Sequence, residues 1–132
     1  MPDALKNLSS ARIQRSKDCL REAALLLENG EYRGAANRAY YAAFHALRAV
    51  LALDGFDSKK HSGVIAKFRE LYIKTGLFTP ELSDTIGSLF RIRSASDYDD
   101  FYVASKSDVE HQYERAIKLV SEIEQYLNER TV

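Results

Sequence analysis

The sequence predicts an all-α protein: a single domain over residues 1–132, built as an up-and-down bundle of four to five helices, with its ordered part at about 10–127. Three observations carry this expectation. Apolar residues recur at three- and four-residue steps through five segments. Glycine, proline and Asp-Gly punctuation separates those segments at short intervals. No window shows the period-two alternation of a half-buried strand. A chain of 132 residues also suffices for one core without disulfide or metal staples.

The first helix is expected from about Ser10 to Asn29, with Ile13, Leu20, Ala24 and Leu27 on one face and Gly30 as its stop. Its other face carries Arg12, Arg15, Lys17, Arg21 and Glu22, the composition of a solvated surface. The second helix, Tyr32 to Leu53, ends at Asp54-Gly55 and is apolar almost all round, so it belongs in the middle of the bundle. Alanines at 35, 36, 39, 42, 43, 46, 49 and 52 permit close helix approach. Its few polar groups, Asn37, Arg38, Tyr41, His45 and Arg48, fall within about 100° on the helical wheel. Such a line on a central helix needs partners or a cleft.

Asp57-Ser58 opens the third helix, in which His61, Val64, Ile65, Phe68, Leu71 and Tyr72 keep helical spacing until Gly76. His61 sits near the helix N-terminus, where the macrodipole disfavours an imidazolium; it reads either as a structural hydrogen-bonder or as part of a site. Thr79-Pro80-Glu81 starts the fourth helix, with an N-cap candidate, proline at the first helical position and an acid in the first turn. This helix carries the stretch LFRIRSASDYDDFY, Leu89 to Tyr102. Leu82, Ile86, Leu89, Phe90, Arg93 and Asp97 share one face, whereas Arg91, Ser94 and Tyr98 lie on the other. A guanidinium that continues an apolar stripe needs a partner, and Asp97, one turn on, is placed to provide it. An ideal helix sets Arg93 and Tyr98 about 140° apart, so joint action on one phosphate calls for a distorted helix or a second copy of the chain. The fifth helix begins with Ser105-Lys106-Ser107-Asp108, a variant capping box, and continues with Val109, Tyr113, Ala116, Val120, Ile123 and Leu127 as its seam.

Composition excludes several functions. A formal net charge of zero and a pI near 6.8 argue against nonspecific grip on nucleic acid. Cys19 is the only cysteine, which rules out an intrachain disulfide and fits a cytoplasmic protein. The N-terminus lacks the apolar run of a signal peptide, and the uncharged stretch Ala39 to Leu47 is far short of the roughly 20 residues that cross a bilayer, so no membrane contact is expected. There is no Gly-rich phosphate loop, no Cys-x-x-Cys and no His-Glu-x-x-His, and His45, His61 and His111 fall on three helices; neither a metal nor another cofactor is expected.

What remains is a cluster of arginine, tyrosine and aspartate. The planar donors of arginine suit phosphate and can offset charge in a transition state. Tyrosine is a poor base near neutral pH unless a cation such as Arg91 or Arg93 lies close. Spacing alone leaves both a structural ion pair and a catalytic site open.

The run NRAYYAAFHALRAVL, the segment Lys60-His61-Ser62-Gly63-Val64 and RSASDYDDFY together resemble the HEPN domain, in particular the small stand-alone bacterial and archaeal HEPN proteins, over roughly Ser10 to Leu127. The resemblance implies a helical bundle that dimerises through its motif-bearing helices. It also implies metal-independent RNA cleavage by an arginine followed, after four to six residues, by histidine, and pairing with a minimal nucleotidyltransferase as toxin and antitoxin. Arg93 matches the arginine, and Asp97-Tyr98 falls where this subgroup has Asp-Tyr. The chain departs from the pattern in one respect: no histidine occurs from Arg91 to Glu110, and Tyr98 stands where it is expected. In some relatives a tyrosine near this motif receives a nucleotide, which would suit Tyr98 or Tyr102.

The expected site therefore has Arg93, Asp97 and Tyr98 as catalytic residues, with Asn37, Arg38, Tyr41, His45 and Arg91 contacting RNA or a nucleotide and Tyr98 or His45 moving the proton. The alternative is a noncatalytic helical interaction module.

Overall fold

The computed structural model describes residues 2–131 and contains five helices: α1 (Asp3–Glu28), α2 (Tyr32–Leu53), α3 (His61–Phe68), α4 (Pro80–Tyr98) and α5 (Lys106–Arg130). Among the described residues there is no strand, as the periodicity requires. Among the same residues no helix is long and apolar enough to cross a membrane.

α2 is the centre of the bundle and touches α1, α3, α4 and α5. Its alanines explain how. Ala35, Ala39, Ala42, Ala46 and Ala49 are wholly buried, and without bulk at these positions neighbouring backbones pack close.

α1 uses small residues for the same purpose. Its most buried positions are Ser9, Ser16, Cys19 and Ala23, while Ile13, Leu20 and Leu27 flank this contact half-buried. The contact line is thus rotated from the expected apolar stripe, because a large side chain would hold α1 away from the alanines of α2. Ser16 meets the resulting polar cost by donating its hydroxyl to the Ala42 carbonyl at 2.5 Å. Arg12 is likewise not solvated: it lies against Asp57 at 2.9 Å and donates to the Arg48 carbonyl.

Both ends of the bundle extend beyond the expected limits, since α1 starts at Asp3, directly after Pro2, and α5 runs to Arg130. Nothing in residues 3–9 breaks a helix, and Ser9 is buried. The three glycines that stop helical runs, Gly30, Gly55 and Gly76, all adopt positive φ. Ser105 caps α5 by accepting from the Asp108 N–H at 3.1 Å, whereas Thr79 makes no side-chain cap and α4 relies on Pro80.

The third helical run changes character midway. After Phe68 it widens into a π turn, Arg69–Ile73, which buries Tyr72 and leaves Leu71 half-exposed. Tyr72 donates to Asp54 at 2.5 Å, and Arg130 binds both Asp54 (2.8 Å) and Tyr72 (2.6 Å). This network ties the ends of α2 and α5 to the π turn. Burial, and then the Asp54 hydrogen bond, push the Tyr72 hydroxyl well above its usual range, so it remains a donor.

Candidate functional site

The site forms where the C-terminal end of α4 lies against the N-terminal half of α2. Arg93 reaches across from α4, its guanidinium over the rings of Tyr40 (5.5 Å) and Tyr41 (5.3 Å). Its Nη2 donates to the Tyr41 hydroxyl at 3.0 Å. Its Nε sits 2.9 Å from Asp97 Oδ2, but the N–H is not aimed at that oxygen, so the contact is an ion pair rather than a directed hydrogen bond. Asn37 completes the link from α2 by donating to the same oxygen at 2.9 Å. Arg38 donates in turn to Asn37 Oδ1 from Nε and Nη2, stacks on Tyr41 at 5.2 Å and pairs with Glu22 of α1 at 3.6 Å.

Tyr98 also joins this cluster within one chain. Its hydroxyl lies 3.4 Å from Arg93 Nη2, and its ring lies 5.4 Å from the guanidinium. The expected requirement for a distorted helix or a second copy is therefore overturned. α4 remains α-helical through Tyr98 and then stops, so no further turn separates two long side chains that bend toward each other over the helix end.

That helix end is fixed by Arg33, a residue the sequence did not single out. From the first turn of α2 its Nη1 donates to the Ser96 carbonyl at 2.9 Å, and its Nη2 donates to the carbonyls of Asp99 (3.2 Å) and Tyr102. The Ser96 carbonyl is one that the helix C-terminus leaves without an intrahelical partner, the other two lie at the cap and in the turn beyond it, and a cation there also complements the macrodipole. The helical reading through Tyr102 is corrected accordingly: α4 ends at Tyr98, and residues 99–102 form a turn held by the Arg33 fork. Replacing Arg33 with alanine should cost about 1–2 kcal/mol and loosen this end, with faster amide exchange at residues 96–102 as the measurement.

Residues 9–129 match the HEPN domain family. The chain belongs to that family. A Thermotoga maritima "UPF0332 protein" is 33% identical over 116 residues, covering 88% of each chain. A Methanocaldococcus jannaschii protein named "Putative toxin MJ0142" is 30% identical over 112 residues, covering 84% of this chain and 76% of the relative. In fold the protein is similar to the crystal structure of TT1696 from Thermus thermophilus, with a TM-score of 0.75, 21% identity, and coverage of 90% and 98% of the two chains.

The HEPN fold thus gathers Asn37, Arg38, Tyr41, Arg93, Asp97 and Tyr98 into one network, but it separates the other three candidates. Arg91 projects from the far side of α4, where with Arg69 and Arg115 it lines a cavity of about 360 Å³. Tyr102 packs with Ala35, Ala36, Ala104 and Val109 behind the Arg33 fork. His45 touches the Tyr41 ring (5.9 Å) but is 7% exposed, its Nδ1 has no hydrogen-bond partner, and α1 covers it. The helical wheel already set Arg91 apart from Arg93, but it could not separate His45 from the rest of the polar line on α2, because burial along that line depends on which helix packs over it.

Burial, then Arg15, Arg48, Arg38 and Arg12, lower the His45 pKa from 6.5 to about 4. The folded state therefore resists protonation that the unfolded chain accepts. Stability from this group is complete above about pH 6.5 and is lost as pH falls toward about 4, a loss of about 3 kcal/mol. Urea melts from pH 7 to 4 should show this slope, and His45→Gln should flatten it.

Proposed function

We propose that this protein is a toxin-like HEPN subunit that acts on RNA as a cytoplasmic homodimer beside a minimal nucleotidyltransferase, with Arg93 holding a backbone phosphate. One observation carries the reading. Tyr41, Tyr98 and Asp97 hold two of the three guanidinium nitrogens of Arg93, while Nη1 has no partner among the described residues and is not buried. A positioned, partly desolvated guanidinium with an open edge suits an anionic oxygen far better than water-exposed arginines do.

The chemistry this supports is attack of a ribose 2′-oxygen on the adjacent phosphorus with departure of O5′. A 2′,3′-cyclic phosphate and a 5′-hydroxyl result. Arg93 stabilises the charge that develops on the nonbridging oxygens. The hydroxyl of Tyr98, beside the guanidinium, can give its proton to the departing O5′. Tyr98 is also 73% exposed and accessible to a nucleotide-transferring partner, whereas Tyr102 is half-buried.

Dimerisation through this end of the bundle is supported by Phe101 (95% exposed) and Val103 (83%), which lie in the turn after α4 and leave an apolar surface beside the site. The same surface favours a second reading, a noncatalytic module that binds protein through it. Incubating the purified protein with RNA in chelator decides between them. Cleavage that disappears in R93A supports the ribonuclease, and no cleavage by the wild type removes it.

A further inference from the structure

The HEPN pattern leaves one role without a residue in this chain. No histidine follows Arg93 on α4, so that helix offers the proton of an attacking 2′-hydroxyl no imidazole. The fold supplies one from α3. His61, the first residue of that helix, lies on Phe44 with ring centroids 4.3 Å apart and meets Tyr41 edge-on at 5.7 Å. Its Nδ1 is 3.1 Å from the Tyr40 hydroxyl. Arg93 covers the same two tyrosine rings, so imidazole and guanidinium both lie against one aromatic pair.

We propose that His61, through Nε2, is the general base of this site and that Tyr40 orients its ring from Nδ1. This rests on the reading that the site cleaves RNA at a phosphate held by Arg93. In this role Nδ1 carries the proton and donates it to the Tyr40 hydroxyl 3.1 Å away, which leaves the lone pair on Nε2, the ring nitrogen that none of the described residues engages. Burial keeps the Tyr40 hydroxyl well above its usual range, so it stays neutral in this role. The groups facing His61 are Tyr40, Tyr41 and Arg48 from α2 and Arg93 from α4. Burial first, and then Arg93 and Arg48, hold the imidazole below its ordinary pKa, so it is the neutral base at pH 7.

A phosphate on Arg93 offsets the charge that disfavours protonation of His61, so the base strengthens when RNA binds. In the step itself the O2′–P bond forms and the P–O5′ bond breaks. The 2′-hydroxyl proton goes to His61 Nε2, and Tyr98 protonates O5′. Water then returns the two side chains to their starting states.

The test follows kcat/KM on a single-stranded RNA oligonucleotide in chelator from pH about 5 to 8, with melting curves for each variant. H61Q is expected to lose about 10²–10⁴-fold in rate and to lose the rise in rate with pH that the wild type shows on the acid side. H61A is expected to regain activity with added imidazole, which also covers the case of an H61Q variant that fails to fold. Wild-type rates in H61Q overturn the role of His61 and leave that of Arg93 intact. A slowed H61Q that keeps the acid-side rise, or an H61A that imidazole does not rescue, makes His61 structural and overturns the proposal. Absence of cleavage by the wild type overturns both this proposal and the ribonuclease reading.

Discussion

Arg93→Ala should lower RNA cleavage by about 10²–10³-fold, the usual cost of removing one preorganised donor to a developing oxyanion. Stability should change far less. Asp97 loses its ion pair but keeps the Asn37 hydrogen bond, and both Asp97 and Arg93 lie near the surface, with side chains 23% and 12% exposed. Arg93→Lys separates charge from geometry: an ammonium can still neutralise phosphate but cannot hold Tyr41, Tyr98 and an oxygen at once. Its rate should fall between those of the wild type and alanine variants. The measurements are single-turnover cleavage with chelator present and growth on induction in cells. A fully active alanine variant would make the arginine a packing residue.

Phe68→Ala should be the most damaging single truncation for stability, at about 3–5 kcal/mol. Phe68 is completely buried, ends α3, and stacks on Tyr72 at 5.3 Å and Phe78 at 5.8 Å. Its removal opens a cavity under the π turn, where the neighbouring residues are held in place by the Asp54, Tyr72 and Arg130 network and cannot close it. Against a total stability of about 5–15 kcal/mol for a domain, this loss is severe and should lower Tm by about 10–20 °C. Thermal and urea unfolding measure it. An unchanged midpoint would show that the aromatic layer repacks.

The two substitutions share no hydrogen-bond partner and no aromatic contact, so their effects on stability should be nearly additive. R93A should leave the urea midpoint close to that of the wild type. F68A should shift it while any correctly folded fraction still cleaves.

Much of the architecture is already legible in the chain. Five helical segments, the stops at Gly30, Gly55 and Gly76, the cap at Ser105 and the central place of α2 all follow from local chemistry: periodic apolar residues, φ freedom at glycine and side-chain capping. The partnership of Arg93 with Asp97 is equally local, one turn apart on one helix. The contact face of α1 was not legible, because Ser9, Ser16 and Cys19 count as polar or neutral in any apolar pattern. They are chosen for small size against the alanines of α2.

Three further residues became meaningful only once the helices were packed. Arg33, more than sixty positions from the carbonyls it binds, defines the end of α4, and no sequence rule links a first-turn arginine to another helix's C-terminus. The sequence puts His45 on the polar line of α2 as a candidate to move the proton and leaves His61 open between a structural and a site role. α1 covers the first and leaves it neutral and enclosed, while the start of α3 carries the second to the aromatic pair beneath Arg93. The sequence by itself determined which segments are helical, which helix is central and which arginine is paired, because those are short-range properties of 3.6-residue periodicity and burial. Only the tertiary structure decided which polar side chains share a site, because that depends on which helix covers which part of the polar line, and coverage is set by the packing of the whole bundle.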